Sequence, residues 1–303
     1  MNGVLVLDKP RGITSQSALN RVNRALNVRK SGHTGTLDPF ATGVLPVCIN
    51  EATKIIPYIE ETRKKYDALL KLGEKTDTLD STGVTTDRSN SLNFDKDAVN
   101  SVISKYVGKI KQIPPMFSVV KKKDVRLYEL SRRGIEVERP ARSVMIYGIE
   151  LIEYNPPYIR FMVECSRGTY IRVLASDISD DLGCGGHLVE LRRLLSDGFT
   201  IEDAVTIEEV ENGNVALRGL KEVLCDMPCV NITQGMAENI RNGKQIIKSD
   251  LSGVCLPEFS KGRNIKICAG SELVAVTESL LSSEYYEEAD ENCLVFKLLR
   301  VIN

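Results

Sequence analysis

Histidine is almost missing from this chain, with only His33 and His187 among 303 residues. A Ser-His-Asp triad or a histidine-based metal site therefore has few candidates. The eight cysteines form no Cys-x-x-Cys pair and are spread from Cys48 to Cys293, a pattern of reduced thiols rather than of a disulfide frame. Cys225 with Cys229, or Cys184 with His187, fall short of the four regularly spaced ligands that zinc requires, so no metal is expected. No apolar run approaches the roughly 18 residues of a membrane span. The opening Met-Asn-Gly-Val-Leu-Val-Leu-Asp-Lys-Pro is charged too early for a secretion signal, and a cytoplasmic location is expected. The one glycine-rich loop lacks the Gly-Lys-Ser/Thr of a triphosphate cradle. Internal repeats and low-complexity linkers are absent too.

What is present suffices for about two domains, with 42% hydrophobic residues to build their cores. The net charge of −1 conceals a division: residues 1–199 carry +6 and residues 200–303 carry −7. Within the first part, residues 101–150 hold 11 basic against 5 acidic side chains, among them Lys121, Lys122, Lys123, Arg126, Arg132 and Arg133. Such a block attracts phosphates, and Leu127, Tyr128 and Leu130 among the charges give it something to fold with.

The periodicities read as an α/β mixture without parallel alternation. Strands are expected at Gly3–Leu7, Val44–Ile49, Lys65–Leu72, Ser143–Glu153 and Tyr158–Cys165. Helices are expected after Thr14 or Ser15, where Ala18, Leu19, Val22, Ala25 and Leu26 share a face, and at Glu51–Glu60, Asp95–Val107 and within Ser166–Leu182. After Thr200 a helix near Met236–Asn242 precedes short strands near Gly253–Leu256, Ile265–Cys268, Glu272–Thr277 and Cys293–Val301, a small β-rich domain.

The segment Gly32 to Gly43, Gly-His-Thr-Gly-Thr-Leu-Asp-Pro-Phe-Ala-Thr-Gly, is poor material for a helix or strand interior. Its glycines permit backbone geometries closed to other residues, Pro39 fixes φ just after Asp38, and His33 with three threonine hydroxyls surrounds the carboxylate with polar groups. Chemistry rather than core packing selects such a loop.

Seven motifs follow one another in order: Asp8-Lys-Pro-Arg-Gly-Ile-Thr-Ser15, the Asp38 loop, Lys65-Tyr66, Thr76-Asp-Thr-Leu-Asp80, Pro114-Pro-Met-Phe-Ser118, Leu127-Tyr-Glu-Leu130 and Cys165-Ser-Arg-Gly-Thr-Tyr-Ile-Arg172. Over residues 3–199 the chain strongly resembles the bacterial TruB family of tRNA pseudouridine synthases. The resemblance implies an α+β pseudouridine-synthase fold: a mixed, largely antiparallel central sheet flanked by helices and loops, spanning residues 1–228. A thumb-like RNA-binding insertion would occupy about 112–142, and a small PUA-like barrel residues 229–303. The implied activity breaks the N1–C1′ bond of the T-loop uridine numbered 55 in tRNA, turns the base and rejoins it through C5, without a cofactor.

By the same resemblance Asp38 is the catalytic carboxylate, Arg172 its partner, and Tyr66 the ring that stacks on the flipped uracil and serves as a base. Attack at C1′, attack at C6 and removal of a C2′ proton all remain open for Asp38. Tyr170 and Leu191 would wall the base pocket, although Leu191 reads equally as helix core. His33 would fill the space the everted base leaves. Lys9 and Arg11 would touch phosphate, Asp80 would organise the active-site loop, and Lys121, Arg126 and Tyr128 would belong to the thumb. A monomer acting on the tRNA T-stem-loop is expected, with no guide RNA and no membrane. Three departures stand out: Asp124 and Asp197 where the family commonly has glycine, and Val125 where a basic residue is usual. Two alternatives stand beside the enzyme: a non-catalytic RNA-binding protein of the same fold, and a glycosidase with a second carboxylate near Asp38.

Overall fold

A computed structural model of the chain describes residues 1–60, 63–90, 92–115, 121–122, 125–126, 137 and 139–303. The elements that build the larger sheet are β1 (Gly3–Lys9), β2 (Ser31–His33), β3 (Thr42–Ile49), β4 (Lys64–Leu72), β7 (Gly108–Gln112), β10 (Arg142–Asn155), β11 (Tyr158–Cys165), β12 (Gly186–Ser196) and β13 (Phe199–Thr200). Their order is β1-β3-β12-β4-β11-β10-β7, with β2 on β3 and β13 on β12. All neighbours run antiparallel except β3 and β12, where Arg192 and Arg193 lie beside Thr42 and Gly43 in parallel. The mixed, largely antiparallel sheet is thus the one expected.

Alternation sets the faces of this sheet. In β4, Lys64, Tyr66, Ala68, Leu70 and Leu72 are buried while the residues between them are partly or fully exposed. Their apolar face packs with Leu5, Leu7, Leu45 and Val47, with α1 (Ser15–Ala25) and with α3 (Ile171–Asp181) in the main core. Thr14 caps α1, its hydroxyl accepting from Ser17 N at 3.0 Å. Asp95 caps α2 (Lys96–Ser104) in the same way.

Two expectations change. Glu51–Glu60 is not one α-helix but two 3₁₀ turns, Asn50–Lys54 and Ile56–Tyr58, because Pro57 lacks the N–H that would continue the ladder. Leu191 lies on the strand β12 rather than on a helix. Between β4 and α2, the hairpin β5 (Glu74–Thr76) and β6 (Thr85–Arg88) carries the loop of Asp77 and Asp80.

The insertion expected at about 112–142 falls largely outside the described residues, and with it Asp124 and Tyr128. Within it, Lys121 and Lys122 of β8 (Lys121–Lys122) pair with Arg126 and Val125 of β9 (Val125–Arg126). Beyond the larger sheet come α4 (Ile207–Glu211) and α5 (Leu220–Val223). A second sheet then forms from β14 (Cys229–Asn231), β15 (Ile246–Ile247), β16 (Asn264–Ala269), β17 (Glu272–Ser279) and β18 (Leu294–Val301), in the order β14-β16-β17-β18-β15. The helix near Met236–Asn242 is α6 (Gln234–Arg241), whereas Gly253–Leu256 is not a strand. Among the described residues no helix is long and apolar enough to cross a membrane.

Candidate active site

Asp38 sits in the turn between β2 and β3, and the chain around it is fastened from several sides. Ser15, the first residue of α1, donates its hydroxyl to Leu37 O at 3.0 Å and accepts from Leu37 N at 2.9 Å. Lys9, at the end of β1, is buried, and its ammonium donates to Pro10 O and Ile13 O at 2.9 Å and toward Pro39 O at 3.5 Å. That side chain therefore underpins the loop instead of reaching into solvent. Burial pulls its pKa down to about 8 against the opposing pull of Asp38.

The carboxylate itself is gripped by Arg172 from the first turn of α3. Arg172 Nε lies 3.0 Å from Asp38 Oδ2 and Nη2 donates to Oδ1 at 3.2 Å, a fork-to-fork pair. The guanidinium is 4% exposed, whereas the Asp38 side chain keeps 36% of its surface open. Crowding by the loop and sheet raises the Asp38 pKa and Arg172 opposes the rise. Arg172 is fixed in turn: Nη1 donates to Thr78 O at 2.8 Å and lies 3.3 Å from Asp80 Oδ2. Asp80 is buried, and its Oδ1 accepts from Thr78 Oγ1 and from Thr82 N, both at 2.9 Å. Leu79 next to it takes φ 62°, a left-handed conformation that side chains disfavour, at the bend that turns Asp80 inward.

Tyr66 is buried on β4, and burial, ahead of any charge, raises its phenol pKa. Directly across the ladder is Arg193 of β12, and Leu191 faces Ala68 two pairs further on. Tyr170 is the residue that begins α3, and Gln112, at the foot of the insertion, clamps its backbone: Oε1 accepts from Tyr170 N at 2.9 Å and Nε2 donates to Tyr170 O at 3.2 Å. His33 is half-buried on β2, and burial with the nearby Arg193 charge lowers its pKa, which keeps the imidazole neutral. Arg11 is exposed, its Nη2 donating to Ser81 Oγ at 3.2 Å and Val189 O at 3.1 Å.

A carboxylate held by a buried arginine near a buried tyrosine, with one side left open, places a fixed charge at the protein surface. Residues 23–171 match the N-terminal domain of the TruB family pseudouridylate synthases, and residues 172–227 match the tRNA pseudouridylate synthase B C-terminal domain. Along its whole length the chain is 40% identical to the tRNA pseudouridine synthase B of Geobacter sulfurreducens, over 309 aligned residues covering 100% of each. The chain belongs to the TruB family. A second member, tRNA pseudouridine synthase B of Dechloromonas aromatica, is 43% identical over 88% of this chain and 91% of its own. Among solved structures, an H/ACA RNP bound to a substrate RNA containing 2′-deoxyuridine superposes with a TM-score of 0.72 at 25% identity, covering 99% of this chain and 85% of that one. The pseudouridine-synthase fold follows from these likenesses.

In this TruB chain, Asp38, Arg172 and Asp80 converge, and Lys9 lies beneath them. Lys121 and Arg126 are paired in the β8–β9 ladder. Two residues escaped the sequence reading. Arg193 is buried behind the loop, and no motif of the sequence points to it. Asp197 was noted only as a departure; it takes φ 54°, the conformation that favours glycine, and its Oδ2 accepts from Ser196 Oγ at 3.0 Å and Thr34 Oγ1 at 3.3 Å.

Proposed function

We propose that this chain converts uridine to pseudouridine in tRNA, at the T-loop uridine numbered 55. Full-length relatives at 40% identity carry the name tRNA pseudouridine synthase B, which supports the tRNA activity. The observation that carries the chemical reading is the Asp38–Arg172 pair, closed on one side by the guanidinium and open on the other. In this reading Asp38 acts ionised, on C1′, on C6 or on the C2′ proton, while the N1–C1′ bond breaks and the base turns. The same carbon then bonds C5, and the C5 proton leaves. Tyr66 stacks on the uracil and relays a proton; Tyr170 and Leu191 wall the pocket. His33, kept neutral, fills the gap in the RNA, and Arg11 sits at the rim for phosphate while Lys9 and Asp80 hold the loop. No cofactor takes part.

Lys121, Arg126 and Tyr128 belong to a thumb over about 112–142 that closes on the T-stem-loop. Residues 1–228 form the catalytic domain and residues 229–303 a PUA-like RNA-binding domain. The protein works in the cytoplasm as a monomer without guide RNA. A glycosidase is disfavoured because the two carboxylates of the β5–β6 loop are engaged, Asp80 by Arg172 and the threonines and Asp77 by Val84 N at 2.8 Å. Asp38→Asn decides the matter: the amide is neither charged nor nucleophilic, so tRNA binding should persist while tritium release from 5-tritiated uridine in tRNA disappears. Retained turnover in that variant removes the mechanism.

A further inference from the structure

Arg193 heads the fully buried large side chains of this protein, with 1% of its surface exposed. Its backbone lies between two strands of the site, beside Gly43 of β3 on one edge and opposite Tyr66 of β4 on the other. Its Nε donates to Val44 O at 2.7 Å and its Nη2 to Gly35 O at 3.0 Å. Gly35 and Val44 bracket Asp38, so one guanidinium ties both ends of the segment that carries the carboxylate. Its charge also acts on the Tyr66 phenol, directly across the strand pair.

Two glycines of the loop answer to this arrangement. A Cβ on Gly43, whose φ is +101°, would stand 2.2 Å from Arg193 O, and one on Gly35 would stand 2.9 Å from Lys64 Nζ and 3.4 Å from Arg193 Nη1. The loop thus lies directly on the cations beneath it. Neighbouring Arg192 is paired with Asp8 at 2.6 Å, yet among the described residues no carboxylate forms an ion pair with Arg193. A buried guanidinium without a counter-ion is a costly way to join two carbonyls. Its charge instead acts on Tyr66, His33, Lys9 and Lys64, of which Tyr66 and Lys9 also feel Asp38.

We propose that Arg193 is a positioning residue of the isomerase, holding the Asp38 segment and the Tyr66 hydroxyl in one fixed relation. The proposal rests on the reading given under Proposed function. Its charge also opposes the rise that burial imposes on the Tyr66 phenol, so the hydroxyl parts with a proton more easily than burial alone would allow. An ammonium cannot reach Gly35 O and Val44 O as the planar fork does while keeping its charge in place beside the phenol, which makes Arg193→Lys the informative change.

The test uses the full chain and tRNA carrying 5-tritiated uridine. Arg193→Lys should fold, bind tRNA within about twofold of the unaltered chain, and release tritium about 10²-fold more slowly in single turnover at saturating enzyme. Arg193→Gln is the companion that removes the charge, with a loss at least as large. Combined with Tyr66→Phe, Arg193→Lys should add little, because both changes act through the same hydroxyl. A rate for Arg193→Lys equal to that of the unaltered chain overturns the proposal, as does an undiminished effect in the Tyr66→Phe background, the mark of a merely structural arginine. If the unaltered chain releases no tritium, the isomerase reading itself falls; if it does and Arg193→Lys is indifferent, only the role of Arg193 is lost.

Discussion

Arg172 serves two carboxylates at once, and the order of its contacts fixes the pH behaviour of the site. Asp38 receives the Nε and Nη2 edge, Asp80 lies on Nη1, and the backbone carbonyl of Thr78 prevents the guanidinium from turning. Crowding raises the Asp38 pKa, so its ionised form is lost at a pH above the ordinary carboxylate value of about 3.9. Single-turnover rates measured against pH should therefore fall on the acid side earlier than a free aspartate would require. Arg172→Met should move that fall further toward neutrality, since the cation that opposes the rise is gone, and a limb that stays put would contradict it. Tyr66→Phe keeps the ring and loses the hydroxyl, so the single-turnover rate should drop roughly 10²–10⁴-fold with tRNA binding intact. At this scale the motifs drew attention to Asp38, Asp80 and Arg172, which the fold brings together, while Tyr66 stands on a strand where the pattern alone reads as core. Arg193 was not legible: only the alternation of β12 sends it inward while Arg192 turns out to Asp8, and that alternation was obscured in the sequence.

The obscuring has a physical cause at the scale of elements. β12 carries irregularities between Leu188 and Glu190 and between Arg193 and Leu195, so its side chains do not keep a period of two throughout, and Gly183 and Gly185 before it and Gly186 at its start do not announce a strand. β4, with unbroken alternation, was readable from end to end. Helix α3 shows a further element-scale effect, because its last turns bear Asp177, Asp180 and Asp181 and no basic residue. Carboxylates at a helix C-terminus oppose the macrodipole. Lys75 meets Asp180 at 2.6 Å and the Tyr106 hydroxyl donates to Asp181 at 3.0 Å, but Asp177 is pushed up to about 6 by burial and by the two neighbouring charges. A carboxyl whose pKa is higher folded than unfolded favours the native state when protonated. Its penalty is absent below about pH 4, grows between 4 and 6, and is complete above. Asp177→Asn should thus stabilise the chain by about 1 kcal/mol at pH 8, a figure discounted for its partial exposure, and by nothing at pH 4. Urea unfolding at the two pH values measures this, and an equal gain at both would refute the electrostatic cause.

Across the whole molecule, the larger sheet is covered on both sides where β1 and β3 run. Leu5, Leu7, Leu45 and Val47 face the core behind Tyr66, while Val4, Val6, Val44 and Cys48 face the opposite way. The second set meets Leu220 and Leu224 of the connecting segment together with Cys268, Leu273 and Val276 of the second sheet and Ile302 just beyond β18, in one continuous apolar layer. The near-uninterrupted apolar runs of β1 and β3 announce burial on two faces, yet nothing in them says what supplies the second cover. The charge division near residue 199 marked the change of composition but not this contact. Polar fastenings reinforce it: Lys54 Nζ donates to Val301 O at 2.8 Å and Asn303 N to Glu51 Oε2 at 3.0 Å. With the layer shared, the two sheets should unfold as one transition in calorimetry. Ile302→Ala removes a buried side chain from the far edge of that layer, at a cost of about 2–4 kcal/mol. Because the layer lies on the side of the sheet away from Tyr66, tritium release from tRNA at 25 °C should remain within about twofold of the unaltered chain. The midpoint of unfolding should fall in both sheets together, read by calorimetry and by hydrogen exchange at β3 and β17. Loss of protection in β17 alone, with β3 unchanged, would mean that the two sheets are merely adjacent and that the layer does not couple them.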